Sequence, residues 1–282
     1  MHNPCAVKLS GASCTAAGAG EELEMVEMTR TAATNRTSDG PGSASSSWSS
    51  NRLIAALPEA DRQRLLVNCE TVRLAFADVL IEAEEHYRHV YFPTGAFIAL
   101  VAAIGERARL GVGIIGDEGM LGTSLVLGVT IAPLHAWVQG AGAALRMSAA
   151  AFRRELTRSA TLRQHLNGYV HVLSDQLGQT AICTRYHVVE VRLARWLLMT
   201  RDRAHSDEFH LTHEFLARML GVRRVGITKA AGLLEKRGAI DYHRGKITVL
   251  NHAVLEEASC RCYQLGKQMY ERTLGSLKRA AG

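Results

Sequence analysis

The chain has 282 residues, 47% of them hydrophobic and 21% charged, a globular balance with room for two domains and a real core. Its net charge of +6 is mild when spread over the whole length, so what matters is where the charge concentrates, near the carboxyl-terminal end. No apolar run reaches the length of a membrane span and no basic-then-apolar leader opens the sequence, so a cytoplasmic protein is expected, and Cys5, Cys14, Cys69, Cys183, Cys260 and Cys262 are too scattered for a disulfide scaffold.

Residues 1–50 are rich in Ala, Gly, Ser and Thr and end in SDGPGSASSSWSS. Such a segment cannot bury enough apolar surface to offset the entropy of ordering it, and it reads as a flexible tail. Within it 21–30 is compatible with a short helix, and Met25 or Met28 is an alternative start. Residues 51–68 predict a helix pair or a broken helix, with Leu53, Ile54 and Leu57 before Pro58 and Leu65, Leu66 and Val67 after it. Short apolar runs then follow at 72–76, 79–81, 90–92, 97–103, 108–115, 136–138 and 143–147, separated by Gly, Pro or acidic turns. Many short strands at such spacing predict a barrel or double-sheet roll, closed by a short helix over 148–156 to complete a domain at 51–157.

Residues 158–186 predict one long helix. Leu162, Leu166, Tyr169, Leu173, Gln176, Thr180 and Cys183 recur at alternating spacings of four and three, an a/d seam whose natural partner is the same helix of a second chain. The competing account is a helix packed on its own barrel; Gln176 and Thr180 weaken a seam but can fix its register. A further helix, 188–200, places Val191, Ala194, Arg195 and Leu198 near one face. The tail at 252–282 reads as a helix or two.

The most informative stretch runs from Leu211 to Leu250, LTHEFLARMLGVRRVGITKAAGLLEKRGAIDYHRGKITVL. Thr212 is an N-cap candidate, and Phe215, Leu216, Met219 and Leu220 form a helical stripe after it. Gly221 allows an immediate turn, and a second helix from about Arg223 buries Ile227, Ala230, Ala231 and Leu234 until Gly238 stops it. Strands at 239–243 and 246–250 flank the hairpin turn Arg244-Gly245. Together they predict a winged helix-turn-helix in a domain spanning 187–251. Eight basic residues (Arg218, Arg223, Arg224, Lys229, Lys236, Arg237, Arg244, Lys246) stand here against three acids (Glu214, Glu235, Asp241), an excess that points to double-stranded DNA rather than to a solvated protein-contact hairpin.

This run, with its Leu-Gly-Val turn and the Gly before the first wing strand, resembles the C-terminal domain of the Crp/Fnr family of bacterial transcription regulators. The strand-rich region, with Tyr91-Phe92-Pro93-Thr94-Gly95, is similar to that family's cyclic-nucleotide-binding roll, and 158–186 occupies the place of its dimerisation helix. The resemblance implies an α+β chain made of an N-terminal β jelly roll, a long dimerisation helix and a C-terminal winged helix-turn-helix. It implies base reading by Arg224, Val225 and Lys229, and phosphate contacts by Thr212, His213 and Arg223. Thr228 joins the reading face by its place off the apolar stripe, and Arg244 and Lys246 join the phosphate contacts from the wing. Val225 departs from the family pattern, where a Glu is familiar; Val can only pack on a thymine methyl, so a different target sequence is expected.

The implied partners are double-stranded DNA, a second copy of the chain, RNA polymerase and a small-molecule effector of unknown identity, with no cofactor and no membrane. The candidate effector pocket is Glu118, Leu134 and His135. The family's nucleotide binders place an Arg where Leu134 stands, and a phosphate buried without a cation is costly, so cyclic AMP is not expected to bind tightly. Gly111, Gly113 and Gly116 formally match a dinucleotide fingerprint, but Asp117 and Glu118 follow where a helix should offer its N–H groups; turns between strands are the expected account. Cys5 and Cys14 are too few for an iron–sulfur cluster, Cys260 and Cys262 read as ordinary helix residues with a thiol pair as the alternative, and His86, His89 and His135 match no closed metal site. No catalytic motif appears, so no enzyme is expected. The alternative is a ligand sensor acting through protein contacts instead of DNA.

Overall fold

The computed structural model describes residues 51–105 and 108–280, with side chains through residue 275. The stretch read as a flexible tail, its helix at 21–30, and Cys5 and Cys14 lie outside the described residues. Asn51 opens the fold as an N-cap: its Oδ1 accepts from the Leu53 and Ile54 amides while its Nδ2 donates to the carbonyls of Pro93 (3.0 Å) and Gly119 (2.8 Å). Pro58 splits the first helical segment into α1 (Arg52–Ala55) and α2 (Glu59–Val67).

Seven strands follow: β1 (Glu70–Leu74), β2 (Val79–Ile81), β3 (His89–Pro93), β4 (Phe97–Ile104), β5 (Ala108–Ile115), β6 (His135–Gly140) and β7 (Gly142–Ser148). They form two sheets, ordered β1-β7-β3 and β2-β6-β4-β5. In each sheet every hydrogen-bonded pair of neighbouring strands is antiparallel. Strand β1 begins two residues earlier than the sequence predicts.

Strand β4 shows why its sequence FIALVAAI is apolar almost without a break. Ile98 and Leu100 face the roll interior with Leu74, Ile81 and Val138, while Phe97, Ala99 and Val101 face a second core shared with the carboxyl-terminal helices. A strand covered on both sides has no face left for polar residues.

Helices α3 (Ala149–Arg158), α4 (Ala160–Tyr186) and α5 (Val189–Ala204) carry the chain off the roll. Ser148 and Ser159 cap the first two through their hydroxyls. Strand β8 (Glu208–His210), which the sequence reading misses, adds a third strand to the wing. Then come α6 (His213–Leu220), α7 (Arg224–Lys236), β9 (Ile240–His243), β10 (Lys246–Val249), α8 (His252–Ala258) and α9 (Cys262–Ala280). No described helix is long and apolar enough to cross a membrane.

Two expectations are corrected. Gly111 and Gly113 lie inside β5, not in turns, and flank a bulge opposite Leu100 and Val101. They are small because helices press on this strand: a Cβ at Gly111 would meet the Trp196 ring at 2.6 Å and the Met219 carbonyl oxygen at 3.1 Å, and one at Gly113 would meet Gln176 at 3.0 Å. Just past the strand, Gly116 would meet Arg203 and Glu118 at 2.7 Å. Gly111→Val should therefore cost about 1–3 kcal/mol of stability by overpacking, since the Met219 backbone cannot swing away. Thermal unfolding would register this, and a change within a few tenths of a kcal/mol would refute the close approach.

The second correction concerns the seam. Leu162, Leu166, Tyr169, Leu173 and Thr180 are buried within the chain itself, and Gln176 Oε1 accepts from the Ile114 amide of edge strand β5 at 2.7 Å. Leu162, Leu166 and Tyr169 pack with Phe92, Met120 and Phe152, and Leu173 with the roll interior. The a/d stripe faces its own barrel as far as Gln176, and beyond it Thr180 and Cys183 face α5 and the link between α8 and α9. Alternating four and three marks a stripe that will be buried but does not say against what.

Candidate nucleic-acid interface

The helix-turn-helix is built by local chemistry. Thr212 Oγ1 accepts from the Phe215 amide at 3.1 Å and starts α6, whose buried face is Leu216, Met219 and Leu220. Gly221 takes φ +60° and ends it, a left-handed conformation that costs a glycine little. Helix α7 buries Ile227, Ala230, Ala231 and Leu234, which leaves Arg224, Val225, Thr228 and Lys229 together on the exposed side of its first turns. Arg223 sits at the N-cap, where its guanidinium, a donor only, cannot accept from the first amides of α7. At the wing tip both Arg244 (φ +48°) and Gly245 (φ +83°) are left-handed, the signature of a type I′ hairpin turn.

Charge pairing sorts the basic residues. Arg237 pairs with Glu190 at 3.2 Å, Arg218 with Glu214 at 3.4 Å and Lys246 with Glu208 at 2.8 Å. Among the described residues no carboxylate pairs with Arg223, Arg224, Lys229 or Arg244, all exposed. Of the five basic residues left without a carboxylate, Lys236 lies at the far end of α7, and the other four thus lie at its amino-terminal end and at the wing tip. Val225, 58% exposed, is an apolar patch between them.

His213 is placed differently from its expected phosphate role. Its ring stacks on Tyr242 at 4.0 Å, Nδ1 lies 3.1 Å from Thr228 Oγ1, and Nε2 is buried without a hydrogen-bond partner. Burial first, and then the Arg224 cation, hold the imidazole below its ordinary pKa, which favours its neutral form. It braces α7 against the wing. Thr228 is similarly engaged, donating to the Arg224 carbonyl at 3.2 Å, and Thr212 shares its hydroxyl with the cap.

Residues 191–258 match the family model described as the Crp-like helix-turn-helix domain. The chain carries a Crp-like helix-turn-helix domain. Solved structures extend the likeness over most of the chain. A regulator of the Crp/Fnr family from Eubacterium rectale is 17% identical with TM-score 0.59, covering 73% of this chain and 96% of that one. FixK2 of Bradyrhizobium japonicum is 12% identical with TM-score 0.59, covering 68% of this chain and 98% of that one. The c-di-GMP responsive global regulator CLP of Xanthomonas campestris is 12% identical with TM-score 0.58, covering 69% and 100%. No curated protein matches the chain. The fold is that of the Crp/Fnr DNA-binding transcription regulators.

The Crp-like domain shares its core with the roll: Phe97, Ala99, Val101 and Ile114 pack in one cluster with Trp196, Leu197, Met219 and Ile227. On the sensor side the three expected pocket residues divide. Glu118, buried, pairs its Oε1 with Arg203 at 2.7 Å and accepts from the Gly116 amide at 3.1 Å through Oε2. It lines a cavity of about 290 Å³ between α4, α5 and α9, with Tyr169, Gln176, Tyr263 and Tyr270. Leu134 and His135 line no part of that cavity. Leu134 packs with the roll interior and His135 pairs with Glu82.

Proposed function

We propose that the chain is a sequence-specific DNA-binding regulator acting as a homodimer, with α7 in the major groove. The observation that carries this reading is the set of unpaired cations Arg223, Arg224 and Lys229 around an exposed Val225 at the start of α7, with Arg244 beyond them on the wing. Arg224 and Lys229 suit guanine edges and Val225 a thymine methyl. Arg223, Thr212, Arg244 and Lys246 supply phosphate contacts, Lys246 after release from Glu208. His213 acts behind the surface, holding Thr228 and the wing in register. RNA polymerase is the further partner this function calls for.

The dimer does not use the inward stripe of α4. Its outward face offers His171, Ser174, Gly178, Ala181 and the half-exposed Ile182, where small residues allow close helix approach. Two copies would then present α7 to half-sites one helical turn, roughly 34 Å, apart. The domains proposed are a sensor at 51–157, the helix at 158–186, the reader at 187–251 and the helical tail at 252–282.

Cyclic AMP is not the effector in this account. Glu118, the carboxylate that would meet a ribose, is engaged by Arg203, and Leu134 offers a phosphate no charge. Selecting bound duplexes from a random pool with the purified protein tests the reading. A two-fold symmetric consensus with half-site spacing near ten base pairs is expected; an enriched pool without any consensus would refute sequence-specific recognition.

A further inference from the structure

Cys183, His187, Cys260 and Cys262 are far apart in sequence and together in space. Cys183 lies on the last turn of α4, and His187 is the residue that ends that helix, its amide donating to the Cys183 carbonyl at 3.1 Å. Cys260 lies in the short link between α8 and α9, and Cys262 begins α9. The three thiols are free and buried, and Val191 of α5 packs against them. One ligand atom from each of the four residues falls within 4.8 Å of all the others. Cys183 Sγ and Cys260 Sγ are 3.6 Å apart, and Cys262 Sγ is 3.9 Å from His187 Nδ1.

The two shortest contacts and the 4.8 Å bound on the rest suit a small tetrahedron of ligands. Zinc–sulfur and zinc–nitrogen bonds of about 2.3 and 2.0 Å place tetrahedral ligands about 3.8 Å apart for two sulfurs and about 3.5 Å for sulfur and nitrogen. The spacing holds one ion and leaves no room for the iron–sulfide core of a cluster. A second observation comes from charge. Arg195 is only 5% exposed, bonds Thr180 Oγ1 at 3.3 Å through its terminal nitrogens, and leaves Nε without a partner. Among the described residues no carboxylate pairs with it, although a buried cation without an anion is unfavourable. Three thiolates and a neutral imidazole around a divalent ion carry one net negative charge, which Arg195 would balance.

We propose that Cys183, His187, Cys260 and Cys262 form a closed site for a single thiophilic divalent cation of the zinc type, clamping the end of α4 to the α8–α9 link at the entrance to the Crp-like domain. Binding releases the three thiol protons, leaves His187 coordinated through Nδ1 and needs no oxidant. The site stands whether or not the chain binds DNA, because its ligands lie outside α6, α7 and the wing.

The test is a Co²⁺ titration of the reduced, metal-free full chain, followed by Zn²⁺. One Co²⁺ per chain is expected, with thiolate-to-metal charge-transfer absorption, the intense visible bands of tetrahedral cobalt, and displacement by Zn²⁺. The signal should disappear in Cys260→Ser and Cys262→Ser and persist in Cys69→Ser. Zn²⁺ should also raise the unfolding temperature of the unaltered chain, as a ligand of the folded state must. Absence of the thiolate signal in the unaltered chain would overturn the assignment without recourse to any variant. So would a signal that survives both serine variants. A reduced chain that takes up no metal but forms a Cys183–Cys260 disulfide on oxidation would likewise overturn it, the pair then being a thiol switch.

Discussion

Glu118→Ala is expected to destabilise the fold by about 3 kcal/mol, at the low end for breaking a buried ion pair, because both partners border a cavity. Its carboxylate is 8% exposed and Arg203 is 13% exposed, so neither charge is screened as a surface pair would be. Removing it strands the Arg203 guanidinium, whose Nε already lacks a hydrogen-bond partner and whose other terminal nitrogen is fixed on the Met199 carbonyl at 3.0 Å. The Gly116 amide loses its acceptor as well. Arg203 belongs to α5, so the damage falls on the joint between roll and DNA-binding domain. Urea unfolding should show the midpoint moving down with the slope unchanged. Glu118→Leu combined with Arg203→Met should recover much of the loss, because replacing both partners leaves no charge buried. A single-variant loss under about 1 kcal/mol would mean that water already solvates the pair.

Arg224→Ala is expected to lower affinity for the selected duplex by about 1–3 kcal/mol and to relax preference at one base position. Arg224 is exposed, unpaired and on the first turn of α7, and its removal leaves the Thr212 cap and the Ile227–Leu234 core untouched. Lys246→Ala should behave differently, weakening all duplexes alike and by less, because Lys246 must first give up Glu208. Competition binding against single-base variants of the selected site separates the two. Equal loss on every duplex for Arg224→Ala would move the reading face elsewhere on the domain.

Much of this architecture is legible from residue order, because it rests on local rules. The strands from 79 to 148 follow from short apolar runs and the breakers between them. The helix-turn-helix follows from a hydroxyl cap at Thr212 and left-handed glycines at 221 and 238. What stays hidden is what lies against what. The stripe from Leu162 to Gln176 looks the same facing a twin helix or its own barrel, and the Gln176 bond to Ile114 decides for the barrel. Gly111 and Gly113 look like turn residues until Trp196, Met219 and Gln176 are seen lying on them. Cys260 and Cys262 read as plain helix residues because Cys183 and His187, more than seventy positions upstream, complete their set. For His213 the resemblance implies a phosphate contact, whereas Tyr242 covers its ring. The short strand β8 carries no alternating run long enough to announce itself.

The central claim is that the free cations at the start of α7 dock on a duplex, and the salt dependence of binding tests it most directly. With the duplex recovered by selection, affinity should fall about 10³- to 10⁵-fold between roughly 50 and 200 mM salt if six to ten phosphates are contacted, and Arg223→Ala should reduce the logarithmic slope by about one. Failure to retain any duplex in dilute buffer, or retention that salt leaves unchanged, would contradict it and favour a domain that works through protein contacts.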